Sequence, residues 1–122
     1  MTYAEGLELT KQSYPFDRWH EGLQDGLDQY TKENCDKARD IFDLLIRQLI
    51  ILGAEADESL KLKEFERCVL ALNDLDEALD CGFIETGERE DLCALCNSIC
   101  TAAGIDPKKY GEGEGPASQW RE

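Results

Sequence analysis

At 122 residues, with 42% hydrophobic and 33% charged residues, the chain has the size of one domain: a modest core in a strongly solvated skin. Twenty-seven acidic residues against thirteen basic ones give a formal charge of −14. That field repels nucleic acid and anionic membrane and attracts basic proteins at long range, so direct binding to nucleic acid or lipid is excluded as the expected activity.

Thr2 is placed to cap a short helix running to about Gln12, and Ser13-Tyr14-Pro15-Phe16 ends it, because proline closes a helix and constrains the residue before it. An amphipathic helix is predicted from about Asp17 to Tyr30, with Trp19, Leu23, Leu27 and Tyr30 on one face and Asp17, Glu21, Asp25 and Asp28 as an acidic stripe opposite. A central helix follows from about Asn34 to Leu52. Its main stripe is Ala38, Ile41, Phe42, Leu45, Leu49 and Leu52, widened by Leu44, Ile46, Ile50 and Ile51, so it reads as a spine packed on more than one side and stopped by Gly53. A third strong helix, about Glu58 to Leu79, carries Phe65, Cys68, Val69, Leu72, Leu75 and Leu79 on one face, with Gly82 as its stop.

After a turn from Asp80 to Thr86, Thr86 is a good N-cap for a last helix with Glu88, Glu90 and Asp91 in its first turn, where the helix dipole favours negative charge. Leu92, Leu95, Cys96, Ile99 and Ala103 point inward, and Gly104, Ile105 and Pro107 spell a C-terminal stop. The prediction is therefore an all-α, single compact bundle of four to five helices over 1–106. Residues 107–122 form an irregular Gly/Glu-rich tail, pinned back on the bundle by Tyr110 and Trp120 if it packs at all.

The longest apolar run, Leu49-Ile50-Ile51-Leu52, is far too short to span a bilayer, and the N-terminus has no basic region followed by an apolar stretch. The expected address is cytoplasmic. The six cysteines fit it as free thiols, since Cys93, Cys96 and Cys100 crowd one helix and Cys35, Cys68 and Cys81 lie in or beside others. Spacings of three and four put Cys93, Cys96 and Cys100 on one helix face, the donor set for zinc, copper(I) or an iron–sulfur cluster. The same three residues share the stripe of Leu92, Leu95 and Ile99, where free cysteine acts as a small hydrophobe, and core packing is the preferred reading. No cofactor is expected.

Catalytic signatures are missing from the sequence. His20 has no nucleophile or paired residue placed for it, and the serines carry no elbow or triad pattern. Gly111-Glu112-Gly113-Glu114-Gly115 lacks the lysine and following helix of a phosphate loop, and Ala78 and Leu79 occupy positions where a calcium loop needs a ligand and a glycine.

What stands out is acid on a helical scaffold. The densest patch is Asp74, Asp76, Glu77, Asp80, Glu85, Glu88, Glu90 and Asp91, opposed by Arg89 alone. Capping accounts for the last three, whereas Asp74, Asp76, Glu77 and Asp80 sit at a helix C-terminus, where negative charge is unfavourable. This junction is the first-choice partner-binding surface, and the stripe Asp17, Glu21, Asp25 and Asp28 is the second.

As a class, the chain resembles the small acidic immunity proteins with which bacteria neutralise their own toxin effectors. The resemblance rests on the single bundle, the acidic patches at 74–91 and 17–28 and the missing catalytic equipment, and no diagnostic motif carries it. It implies a non-catalytic inhibitor whose carboxylates pair with the lysines and arginines that a basic toxin, such as a nuclease, uses on its own substrate. Three alternatives stay open: a nucleic-acid mimic that blocks a DNA-binding protein, a cysteine-lined metal-handling bundle, and a subunit of a larger complex, for which surplus exposed apolar surface on the helix at 38–52 is the feature to look for.

Overall fold

The computed structural model describes residues 2–16, 18, 32–78 and 86–107, with the side chains of 32 and 86–89 outside that description. Every regular element among the described residues is helical: α1 (Tyr3–Leu9), a 3₁₀ turn (Thr10–Ser13), α2 (Lys32–Leu52), α3 (Glu58–Ala78) and α4 (Thr86–Ala102). The expected helical bundle is what the chain builds. Of the helix expected over 17–30 only Arg18 is described, and it is helical; the rest of it, the turn at 80–85 and the tail at 108–122 lie outside the described residues.

Thr2 caps α1 as its sequence implies, its hydroxyl accepting from the Glu5 amide at 3.1 Å. The 3₁₀ turn ends at Tyr14, whose extended backbone (φ −60°, ψ 130°) is the conformation that a following proline imposes. That exit delivers two rings to the core. Phe16 is fully buried, 5.9 Å from the Phe42 ring and 5.1 Å from that of Tyr14, while the Tyr14 hydroxyl donates to Asp43 at 2.8 Å.

In α2, Cys35, Ala38, Phe42, Leu45 and Leu49 recur at spacings of three and four and are all buried. Gly53 ends the helix at φ +85°, the left-handed conformation that glycine adopts without penalty, and its amide reaches back to the Leu49 carbonyl at 3.2 Å. The short turn over 53–57 then folds α3 back along α2, and the two make the most extensive pairing among the described helices. α2 packs on more than one side, as expected, against α3 and against α1, with Ile46 buried beside the main stripe. Of the residues expected to widen that stripe, Leu44 is 40% exposed and Ile51 68%.

Thr86, the first described residue of α4, is already helical, where an N-cap assignment would leave it just outside. The end of α4 follows the sequence closely. Gly104 takes φ +84°, its amide donates to the Thr101 carbonyl and the Ile105 amide to the Cys100 carbonyl, both at 3.0 Å, and Ile105 is buried behind the cap. These are the paired bonds of a Schellman motif. α4 lies against α1 and the 3₁₀ turn and meets α3 through side chains, closing a core that draws on every described helix.

Candidate functional site

Two contacts between α3 and α4 fix how the acidic junction is built. Lys61, in the first turn of α3, donates to the carbonyl of Ala103, just past the end of α4, at 2.8 Å. Further along α3, Cys68 neighbours Cys96 of α4. The two helices are therefore antiparallel, and the C-terminal end of α3 shares one end of the bundle with the N-terminal end of α4. Asp74, Asp76 and Glu77 come from the first of these, and Glu88, Glu90 and Asp91 from the second. Asp74, Glu77 and Glu90 are exposed, and Asp76 and Asp91 are half-buried. Asp80, Glu85 and the second-choice residues Asp17, Glu21, Asp25 and Asp28 lie outside the described residues, as does the side chain of Glu88.

The last turn of α3 contains no basic residue, so the carboxylates there meet the negative end of the helix dipole uncompensated within their own helix. Asp91 differs from its neighbours, because the Arg18 guanidinium donates to it at 2.7 Å. That pair is solvent-exposed and adds little stability, but it covers part of the charge at the start of α4.

Cys93, Cys96 and Cys100 all face inward, as does Cys35, and all four are free thiols together with Cys68. Among the described residues no group of three histidine, cysteine or acidic side chains converges as a metal site. The thiol neighbouring Cys96 across the helix interface is Cys68. That neighbour, followed by burial, raises the Cys96 thiol pKa well above its ordinary value; burial, followed by the neighbouring Cys96, pushes Cys100 up to about 12. Tyr14 is raised as well, by burial and then by its bond to Asp43. Each of these groups binds its proton more tightly folded than unfolded. The stability they contribute is complete below the unfolded thiol value of 9.0 and is lost as pH climbs toward about 12. A series of melting temperatures is thus expected to fall steadily above pH 9; a flat profile from pH 9 to 11 would contradict the buried, protonated state of these thiols.

Lys61 is the residue that sequence reasoning missed. It is 5% exposed, gives a second hydrogen bond to the Ala54 carbonyl at 3.1 Å and stands 5.1 Å from the Tyr3 ring centroid, while the Tyr3 hydroxyl donates to the Leu49 carbonyl at 3.1 Å. One ammonium thereby serves carbonyls just beyond the C-termini of α2 and α4, and the adjoining tyrosine serves the last turn of α2. The signal was present in the spacing, since Lys61 lies four residues before Phe65 on the buried stripe of α3.

A small pocket of about 40 Å³ opens along the seam of α2 and α3, bounded by Ile41, Leu44 and Leu45 on one side and Glu64, Arg67 and Ala71 on the other, with Cys68 in its wall. No family model matches the chain, and no curated protein or solved structure matches it. No helix among the described residues is long and apolar enough to cross a membrane.

Proposed function

We propose that the chain is a non-catalytic binding protein that neutralises a basic toxin domain, such as a nuclease effector, by laying the acidic end of its bundle over the partner's active or substrate-binding site. The observation that carries this reading is the pair of exposed carboxylates, Asp74 and Glu77, on a helix end whose last turn has no basic residue. Charge kept where it opposes the helix dipole costs local stability, and a partner's lysines and arginines compensate it on binding. Glu90 adds to the same end from α4, and the overall charge of −14 steers a basic partner toward it.

The test begins with the chain immobilised, a lysate of the source organism passed over it, and elution in a salt gradient. A stoichiometric basic protein that is retained to high salt and toxic when expressed alone supports the reading; no specific retention at low salt overturns it. With that protein in hand, the triple variant Asp74→Asn, Glu77→Gln, Glu90→Gln is expected to slow association by about tenfold at low salt, with a smaller effect on dissociation, as charges at a binding rim do. An unchanged association rate would remove this end of the bundle from the interface.

A second reading, a subunit of a larger complex, is favoured by the exposure of Ile51 (68%) and Leu70 (55%). It predicts a partner retained through apolar contact, so that binding persists or tightens as salt rises.

A further inference from the structure

Three of the exposed large apolar residues fall on one face of the α2–α3 pair. Leu44 borders the pocket in the seam, and Ile51 follows it on α2 by two helical turns. Leu60 stands on α3 one turn before Glu64, which lines the same pocket. We propose that this face is where a second copy of the chain docks, each copy seating its Ile51 in the other's seam pocket.

The spacing makes the contact self-complementary. Ile51 is 68% exposed, more than any other large apolar side chain described. Two turns of helix put it about 10 Å along α2 from the pocket mouth at Leu44. A two-fold axis that crosses the hairpin midway between them, at right angles to the helices, carries each Ile51 onto the other copy's pocket, so one contact is made twice. The pocket of about 40 Å³ has Ile41, Leu44, Leu45 and Ala71 as its apolar walls. The end of an aliphatic side chain supplies the packing atoms that those walls lack. Leu60 stands at the same end of the hairpin as Ile51 and widens the apolar surface there.

Charge and area favour a second copy as the occupant. Asp40 and Arg47 stand one turn before and one turn after Leu44, and Glu64 and Arg67 pair with each other at the pocket rim, so acid and base balance along the stripe. A basic partner finds no excess of acid there and is drawn to the junction instead. Two copies, each at −14, meet at this face without local repulsion. The overlap of two such hairpins spans about 25 Å of helices set about 9 Å apart and buries about 1,000 Å² in total, the lower bound for a specific interface. The remaining like charge acts at longer range and is screened by salt, so the dimer tightens as salt rises. This inference rests on the second reading above, a subunit held by apolar contact, and names its partner. The acidic junction, at the end of α3 far from the turn, lies outside the overlap.

Sedimentation equilibrium of the full chain, at concentrations up to about 1 mM to suit an interface this small, is expected to show a monomer–dimer equilibrium that tightens as salt is raised. Ile51→Lys is expected to weaken association about a hundredfold, since each dimer loses two buried isoleucines. The melting temperature of the dilute chain should not change, because that side chain is exposed in the monomer. Ala71→Met fills the pocket and is expected to weaken association about tenfold. Leu70→Lys alters an exposed residue that does not line the pocket and is expected to leave the dimer intact. Should Ala71→Met fail to fold, Ile51→Lys still decides. A monomer at every salt concentration, a dimer that loosens with salt, one indifferent to Ile51→Lys, or one equally sensitive to Leu70→Lys would overturn the proposal. Any of these results leaves the second reading itself to the capture of a different protein at high salt.

Discussion

Replacing Phe42 by alanine is expected to lower the unfolding free energy by about 4 kcal/mol, the upper part of the range for removing a buried phenyl ring. The ring is fully buried, and it lies 5.9 Å from Phe16 and 6.3 Å from Tyr14, so the cavity would open among aromatic neighbours that themselves come from the segment after the 3₁₀ turn. Those neighbours are held in place by their own connections: Pro15 fixes the exit of the chain, and the Tyr14 hydroxyl is tied to Asp43 one residue beyond Phe42. The site therefore has little freedom to collapse, and incomplete collapse is what makes such substitutions costly. Urea unfolding monitored by circular dichroism gives the number directly, the midpoint falling with little change in slope. A loss under about 1.5 kcal/mol would mean that the N-terminal segment moves in to fill the space, and that the aromatic trio is a loose contact instead of a structural joint.

What could be read in the sequence was what depends on neighbours within a few residues. Gly53 and the run Gly104-Ile105 announced their helix ends because a left-handed residue and the apolar residue after it are a local requirement, and both took positive φ. The buried faces of α2, α3 and α4 followed from spacing for the same reason. Properties set by how helices lie against one another were hidden. Leu44 and Ile51 belong to the same apolar girth as Ile46, and only the placement of α3 beside α2 decides which of them meets solvent.

The site divides in the same way. Exposure of Asp74, Glu77 and Glu90 was legible, since acid outside an apolar stripe faces water. That Arg18 covers part of Asp91 was not, because the partners are 73 residues apart. Spacing along one helix grouped Cys93 with Cys96 and Cys100, yet the thiol that neighbours Cys96 from another helix is Cys68, whose position opposite depends on the antiparallel register of α3 against α4. Register of that kind has no signature in either segment alone.

Lys61 presents the sharpest case of a residue whose type argues against its place, and its replacement by methionine is expected to cost about 3 kcal/mol. Methionine keeps the length and apolar stem of lysine and discards the charge. Hydrogen bonds from a charged group contribute about 1.5–3 kcal/mol each, and Lys61 makes two, to Ala54 and Ala103. Against their sum stands the cost of holding an ammonium away from water, from which the variant is released, so the net falls below the simple total. The carbonyls remain after the substitution. They terminate two helices whose last turns contain no basic residue, so no other positive charge within α2 or α4 is placed to take over. The salt dependence separates this account from an ordinary surface charge effect: because the ammonium is buried, the loss should be nearly the same at low and at high ionic strength, whereas an exposed interaction would fade. A large, salt-insensitive loss would make Lys61 the joint that fastens the end of α4 to the α2–α3 turn, and the antiparallel register it sets is what brings Asp74, Glu77 and Glu90 to one end of the molecule. A loss below about 0.5 kcal/mol would mean that water satisfies both carbonyls, and that the register rests on the apolar core alone.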